Sequence, residues 1–258
     1  MKKTFGQYGK NRLWEIIPGA ISWTVVLGTL FLAFFAPEAA IVFIILFDLY
    51  WMLRVFYFVI YVGFAYRTYR KTLATDWWKM VQAMPCHEKI YHVVMLPFYK
   101  EEFSILDEAL QALLHSAYRP DRIVVVLGGE ARAGTYADEC GKILREKYQD
   151  RFAGFLCTVH PADLPGEIIG KGSNLRYMAT QLKVWIDAQM IPYDDIIVSA
   201  FDVDTVAHSQ YFAKLTELFL TLPNPTRTSF QPVTVFSNNI WNASAPVRIA
   251  AFGTTFWL

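Results

Sequence analysis

The stretch IIVSAFDVDTVAHSQYF, Ile196–Phe212, begins as an uncharged apolar run and then presents two carboxylates, Asp202 and Asp204, with one valine between them. A short apolar run of this kind reads as a buried strand. Side chains alternate along a strand, so the reading predicts Asp202 and Asp204 on one face. Two adjacent carboxylates repel each other and lose hydration unless something positive sits between them. A divalent metal carrying phosphates meets that need.

The segments on either side give the strand its context. HVVML (His92–Leu96) is a short apolar strand running into Pro97, and RIVVVL (Arg122–Leu127) is a second, ended by Gly128-Gly129. Phe155–Val159 reads as a third strand, Ile196–Phe201 as the fourth and Phe230–Val235 as a fifth. Helices are expected between them. One starts at Ser104, with Asp107 at capping-box spacing, and another at Thr135, with Asp138 repeating the spacing, and runs to about Tyr148. Two more cover Ser173–Gln189 and Ser209–Leu222. Strands alternating with helices in this way predict an α/β fold with a mostly parallel sheet. Ligands of such sheets bind beyond the carboxyl ends of the strands. Tyr99-Lys100-Glu101, Gly129-Glu130 and Asp202-Val203-Asp204 all fall there.

The chain has 258 residues, 54% of them apolar, and a net charge of +1. That is too apolar for an ordinary soluble domain and too charged for a wholly membrane-embedded one, which predicts a split between the two. No basic cluster interleaved with aromatics marks a nucleic-acid surface, so nucleic acid is not an expected partner. Cys86, Cys140 and Cys157 are odd in number and widely spaced, which fits a reducing compartment. Among the histidines only His208 follows the carboxylates closely, and a polar residue at a helix start accounts for it.

The apolar excess lies at the front. IIPGAISWTVVLGTLFLAFFAP, Ile16–Pro37, carries no charge and is long enough to span a hydrocarbon core of roughly 30 Å. It is too long for the apolar region of a signal peptide, and a second apolar run, Ala39–Tyr66, follows at once. Residues 1–71 therefore read as a transmembrane hairpin, 72–90 as an interfacial linker and 91–258 as the α/β domain. Lys2, Lys3, Lys10 and Arg12 precede the first span, and Arg67, Arg70 and Lys71 follow the second. With only Glu38 in the connection, both ends and the α/β domain are expected on the cytoplasmic side of a plasma or inner membrane. Trp77 and Trp78 beside Lys79 read as a segment lying along that leaflet. Asp48 and Arg54 sit inside the second span and project to different sides of a helix.

Two segments carry the chemistry. Asp202 and Asp204 suit Mg²⁺ or Mn²⁺, hard ions that share their ligands with water and substrate phosphates. GEIIGKGSNLRYM, Gly166–Met178, has the glycines and lysine of a P-loop but not its spacing: Gly166 and Gly170 are one residue too close, and Gly172 separates Lys171 from Ser173. A helix N-terminus with Lys171 beside it still makes an anion site; a plain glycine turn is the alternative. Glu101 and Glu102, after the first strand, read either as hydrogen-bond acceptors for a ligand or as a solvated helix start.

In order and spacing, VVMLPFYKEE (Val93–Glu102), IVVVL (Ile123–Leu127), GKGSNLRYM (Gly170–Met178) and FDVDT (Phe201–Thr205) resemble the motifs of family 2 glycosyltransferases with a GT-A fold. The pattern is that of the membrane-embedded, processive kind that includes cellulose and hyaluronan synthases, and it covers Tyr91–Gln231. The resemblance implies a Rossmann-like GT-A domain that transfers a sugar, with inversion, from a nucleotide-diphosphate sugar, a UDP-sugar foremost, to a polysaccharide or lipid-linked acceptor. It puts Tyr99, Glu101, Glu130, Lys171, Asn174 and Asp202 around the nucleotide sugar, and Asp202 and Asp204 on the metal. Lys100 and Arg176 stand where the family commonly has asparagine, and Gly129-Glu130 where it often has the aspartate that meets the base. The family's general base lies in a later E-D motif and its acceptor side is closed by Q-x-x-R-W. Neither occurs before Leu258, so the chain is expected to hold the donor half and to be inactive alone. A non-catalytic membrane scaffold or binding subunit is the alternative. A transporter built on Asp48 and Arg54 would have only two spans. The sequon Asn242-Ala243-Ser244 has no bearing on a cytoplasmic domain.

Overall fold

The computed structural model describes residues 9–235 and 240–255. The chain divides into two compact units, Met1–Ala74 with Thr234–Leu258, and Thr75–Val233.

The first unit contains two long helices, α1 (Gly9–Phe35) and α2 (Pro37–Ala74), and ends in a short one, α8 (Ala245–Thr255). Pro37, expected to close the first span, instead opens α2; it occupies the first turn, where its missing N–H leaves no bond unmade. Trp14–Phe35 and Pro37–Ala74 are both long and apolar enough to cross a membrane. Almost none of their apolar side chains is covered by protein, unlike a core helix of a soluble domain. The 38 residues of α2 correspond to about 57 Å at 1.5 Å per residue, well beyond the hydrocarbon thickness of roughly 30 Å. Asp48 and Arg54 are both exposed on α2, and neither pairs with another described residue.

The second unit is an α/β sandwich. Its four strands are β1 (Tyr91–Pro97), β2 (Ile123–Glu130), β3 (Gly154–His160) and β4 (Ile196–Ala200). All neighbours are parallel, and the order across the sheet is β3-β2-β1-β4. The period of two in the apolar runs divides them between two faces. On one face Val94, Leu96, Ile123, Val125 and Leu127 meet Leu106, Leu110 and Leu113 of α4 (Phe103–Leu114) and Leu144 and Tyr148 of α5 (Tyr136–Tyr148). On the other, Val93, Met95, Val124 and Val126 meet Met178, Leu182 and Ile186 of α6 (Lys171–Gln189). Covered on both sides, β2 is buried from end to end. Phe212 of α7 (Tyr211–Thr221) joins the first face, while Leu215 and Phe219 cover Ile197 of β4.

This order follows from the handedness of crossovers. The chain steps outward from β1 to β2 to β3 and then returns past both to lay β4 against the other side of β1. A connection that reverses direction stays right-handed only by crossing to the opposite face. That puts α6 opposite α4 and α5 and makes the β1–β4 boundary the point where the winding reverses.

Several expectations are corrected. Phe230–Val235 forms no strand, so β4 is the edge of the sheet among the described residues. Val198 is 54% exposed there, and a groove beside β4 is lined by Leu215, Phe219, Phe230 and Pro232. Ser104 is not a cap: Glu102 takes that position in α4, and Asp107 instead accepts from Lys147 Nζ at 2.6 Å and Tyr148 Oη at 2.7 Å, tying α4 to α5. Thr135 does precede α5 but makes no capping bond. Trp77 and Trp78, expected along a leaflet, are half-buried. They open α3 (Trp77–Gln82) and pack within the α/β unit, where Lys214 Nζ lies 3.8 Å from the Trp77 ring centroid and Trp78 stands edge-on to Tyr118.

One imidazole lies in the core among the described residues. His92 is fully buried on β1, with Nε2 2.7 Å from Thr216 Oγ1 and its ring edge-on to Tyr118 and Phe212. Burial lowers its pKa from 6.5 to about 3. The unfolded chain therefore binds more protons than the folded one through that window, so stability is complete above pH 6.5 and declines as the pH falls toward 3. Between pH 7 and pH 5 the loss from this group is about 2 kcal/mol. Denaturant unfolding of the protein followed by tryptophan fluorescence should show that loss, and His92→Gln should remove most of it. An equal pH dependence in the variant would assign the acid sensitivity elsewhere.

Candidate functional site

The C-terminal rim of the sheet is organised around a carbonyl. Gly128 O accepts from Phe98 N at 2.9 Å and from Asn174 Nδ2 at 2.8 Å. The first bond continues the β1–β2 pairing; the second clamps the first turn of α6 onto β2. Gly128 and Gly129, expected to end the second strand, lie inside it. Their function is close approach. A Cβ on Gly128 would lie 2.2 Å from Met178 Sδ and 2.9 Å from Asn174 Oδ1, and one on Gly129 would lie 2.7 Å from Ala137 Cβ of α5. Both helices reach the strand because neither residue carries a side chain.

Asn174 is 1% exposed, and its amide is committed to this clamp, with Oδ1 buried and unpaired among the described residues. The clamp fixes Lys171 one turn earlier, at the start of the helix. Gly170 precedes it at φ +152°, a conformation open to glycine, and α6 begins at Lys171 rather than at Ser173. Backbone bonds to Gly170 O serve Ser173 and Asn174, so the free N–H groups of the helix start lie at Lys171 and Gly172.

Lys171 forms an ion pair with Asp202 across the crevice. The strand proper ends at Ala200, one residue short of the expected boundary, although Phe201 N still donates to Met95 O at 3.0 Å. Asp202 and Asp204 then lie in a turn closed by Thr205 N to Asp202 O at 2.9 Å, not on a strand. The alternation of burial nevertheless persists: Phe201 and Val203 are buried in the core, and both aspartates are exposed. His208 is the expected helix-start residue, its Nδ1 accepting from Gln210 N at 3.2 Å.

On the neighbouring strand ends, Glu101 turns back on its own loop. Its Oε2 accepts from Tyr99 N at 2.6 Å and Lys100 N at 3.0 Å, while its carbonyl accepts from Tyr136 Oη of α5. Glu101 thus orders the loop rather than reaching outward. Glu130, at the end of β2, is buried and paired with Arg132, whose Nε donates to Oε2 at 2.9 Å. The same guanidinium lies 5.3 Å from the centroid of the Tyr99 ring, and Lys100 Nζ lies 5.2 Å from it. Arg132 is the residue that sequence reasoning missed. It lies in the 3-10 turn Ala131–Ala133 after β2, and its part follows from the burial of Glu130, which the sequence does not show.

The site thus gathers Lys171 with Asp202, and Tyr99 with Arg132 and Glu130, at the carboxyl ends of adjacent strands. The β1–β4 boundary is the switch point of the sheet, the usual ligand crevice of open α/β folds. Among the described residues no three His, Cys, Asp or Glu side chains come together. Two exposed carboxylates, one already holding a cation, are still a donor set that Mg²⁺ or Mn²⁺ uses when phosphate and water complete its shell. A helix start bearing a lysine supplies the anion-binding half. The arrangement is chemically suited to a phosphate ligand with a divalent ion. Neither a protein-family model nor a curated protein matches the chain.

The Glu130–Arg132 pair can be tested by itself. Arg132→Ala leaves a buried carboxylate without its cation and should cost about 1–3 kcal/mol. Glu130→Gln in the same background should recover much of that loss. Denaturant melts of the two single variants and the double variant give the coupling; additive losses would mean that Arg132 does not stabilise Glu130.

Proposed function

We propose that this protein is a membrane-bound glycosyltransferase of the GT-A type, related to family 2, which binds a nucleotide-diphosphate sugar in the β1–β4 crevice. The observation that carries the reading is the meeting of Lys171, at the start of α6, with Asp202, beside Asp204, at a switch point between parallel strands. The ordered motifs of the sequence support it.

In this reading Asp202 and Asp204 hold Mg²⁺ or Mn²⁺. Bound there, the ion neutralises charge on the diphosphate leaving group. Lys171 and the free amides at the start of α6 bind the phosphates. Glu130, with Arg132 beside it, offers one acceptor and several donors to the edge of a base, and Tyr99 offers a ring. Asn174 and Glu101 act indirectly, by fixing the helix and the loop. The chain's part in transfer is donor binding and leaving-group stabilisation; the acceptor is a glycan or a lipid-linked sugar. The apolar helices α1 and α2 anchor the protein in a plasma or inner membrane, and the flanking Lys and Arg residues support a cytoplasmic α/β unit.

A non-catalytic binding subunit is the second reading. The pairing of Asp202 with Lys171 and of Glu130 with Arg132 favours it, since each carboxylate has a cation from the protein itself.

Calorimetric titration of UDP, GDP and ADP into the detergent-purified chain, with and without Mn²⁺, separates the two. Metal-dependent binding of one diphosphate, UDP foremost, is expected, with affinity falling at least about tenfold in Asp204→Asn. Binding indifferent to Mn²⁺, or unchanged in the variant, would remove the metal role. No binding by folded protein would leave the binding-subunit reading.

A further inference from the structure

The position of Lys171 bears on the order in which ligands enter. Its ammonium is paired with a carboxylate that the reading above gives to the metal. The clamp from Asn174 to Gly128 O fixes the first turn of α6, and with it the backbone from which the lysine side chain reaches Asp202. Both partners are open to solvent, with side-chain exposures of 47% for Lys171 and 72% for Asp202. An exposed pair of this kind is weak and easily exchanged. The N–H groups of Lys171 and Gly172 stand at the start of α6, where a helix favours negative charge.

We propose that Lys171 is the resident counter-cation of Asp202, competing with the divalent ion until a diphosphate draws it away. This rests on the donor-site reading given above. An incoming metal must displace one positive charge from Asp202 and then remain near it, so the ion alone binds weakly. A diphosphate offers Lys171 a partner with more negative charge than one carboxylate, placed at a helix start that itself favours anions. Lys171 then turns to the phosphate, Asp202 is released to the ion, and each ligand raises the affinity of the other by the same factor. The consequence is a site that stays free of metal until its donor arrives.

The competition makes a prediction with opposite signs in one variant. Lys171→Met removes both the competitor and the phosphate ligand. Mn²⁺ alone should therefore bind about 3- to 10-fold more tightly than to the unaltered protein. UDP in the presence of saturating Mn²⁺ should bind about tenfold more weakly. Lys171→Arg keeps the charge and should follow the unaltered protein in the first titration. Free Mn²⁺ can be read from its electron paramagnetic resonance signal during titration of the full chain in detergent, with UDP as the diphosphate probe. A merely structural lysine would weaken both ligands together when removed.

If Mn²⁺ binds the unaltered protein and Lys171→Met leaves that affinity unchanged or weaker, the competition is overturned while the donor site stands. If neither protein binds Mn²⁺, with or without UDP, the donor-site reading falls and this inference falls with it.

Discussion

The carbonyl of Gly128 accepts two hydrogen bonds, and the geometry of the crevice depends on both. Phe98 N aligns the exit of β1, and Asn174 Nδ2 draws in the first turn of α6. The second approach would not survive a side chain at this position without a shift of α6, because the space of a Cβ is already filled by Met178 and Asn174. The neighbouring Gly129 makes the same concession to α5 through Ala137. Two adjacent glycines thus seat helices on opposite faces of one strand, and the residues at the helix starts and strand ends inherit their places from that contact.

Electrostatic self-sufficiency is the second theme of the rim. Glu130 and Asp202 each have a cation supplied by the protein, but the two pairs differ in burial. Glu130 is enclosed, and removing its partner would strand a charge away from water. Asp202 is open, and its pairing can be exchanged at little cost. The buried pair behaves as architecture, while the exposed pair is the one that can take part in exchange.

Much of the α/β unit was legible in the sequence because strands and helices leave different apolar periods. The four strands, with helices between them, are where alternation and turn residues put them, within about two residues except at the glycines. The errors have particular causes. Gly128-Gly129 was read as punctuation because sequence shows the absence of a side chain but not the helix that needs the space. Ser104 with Asp107 had the right spacing for a cap, yet Lys147 and Tyr148, distant in sequence, claim the aspartate. Trp77 and Trp78 have the composition of a membrane interface, which says nothing of the contacts they also make with α7 and Tyr118. Phe230–Val235 has strand composition but forms no ladder with the edge of β4 beside it. At the site, Asp202, Asp204 and Lys171 could be read from position, whereas Arg132 could not, since its meaning lies in the burial of Glu130.

The open border of β4 has a consequence for handling the protein. Ile196–Ala200 carries neither a charge nor a proline, the two devices by which edge strands usually discourage pairing with other chains. Its neighbouring groove offers apolar side chains, with the exposed Val198 among the residues that line it. Pairing of two copies through backbone hydrogen bonds is the physical hazard of such an edge, apart from any association through the membrane helices. Self-association of that origin would grow with concentration and resist detergent, because detergent covers apolar surface but does not replace a ladder of amides. A charged substitution at Val198, on the exposed side of that border, is the natural means of keeping the protein monodisperse.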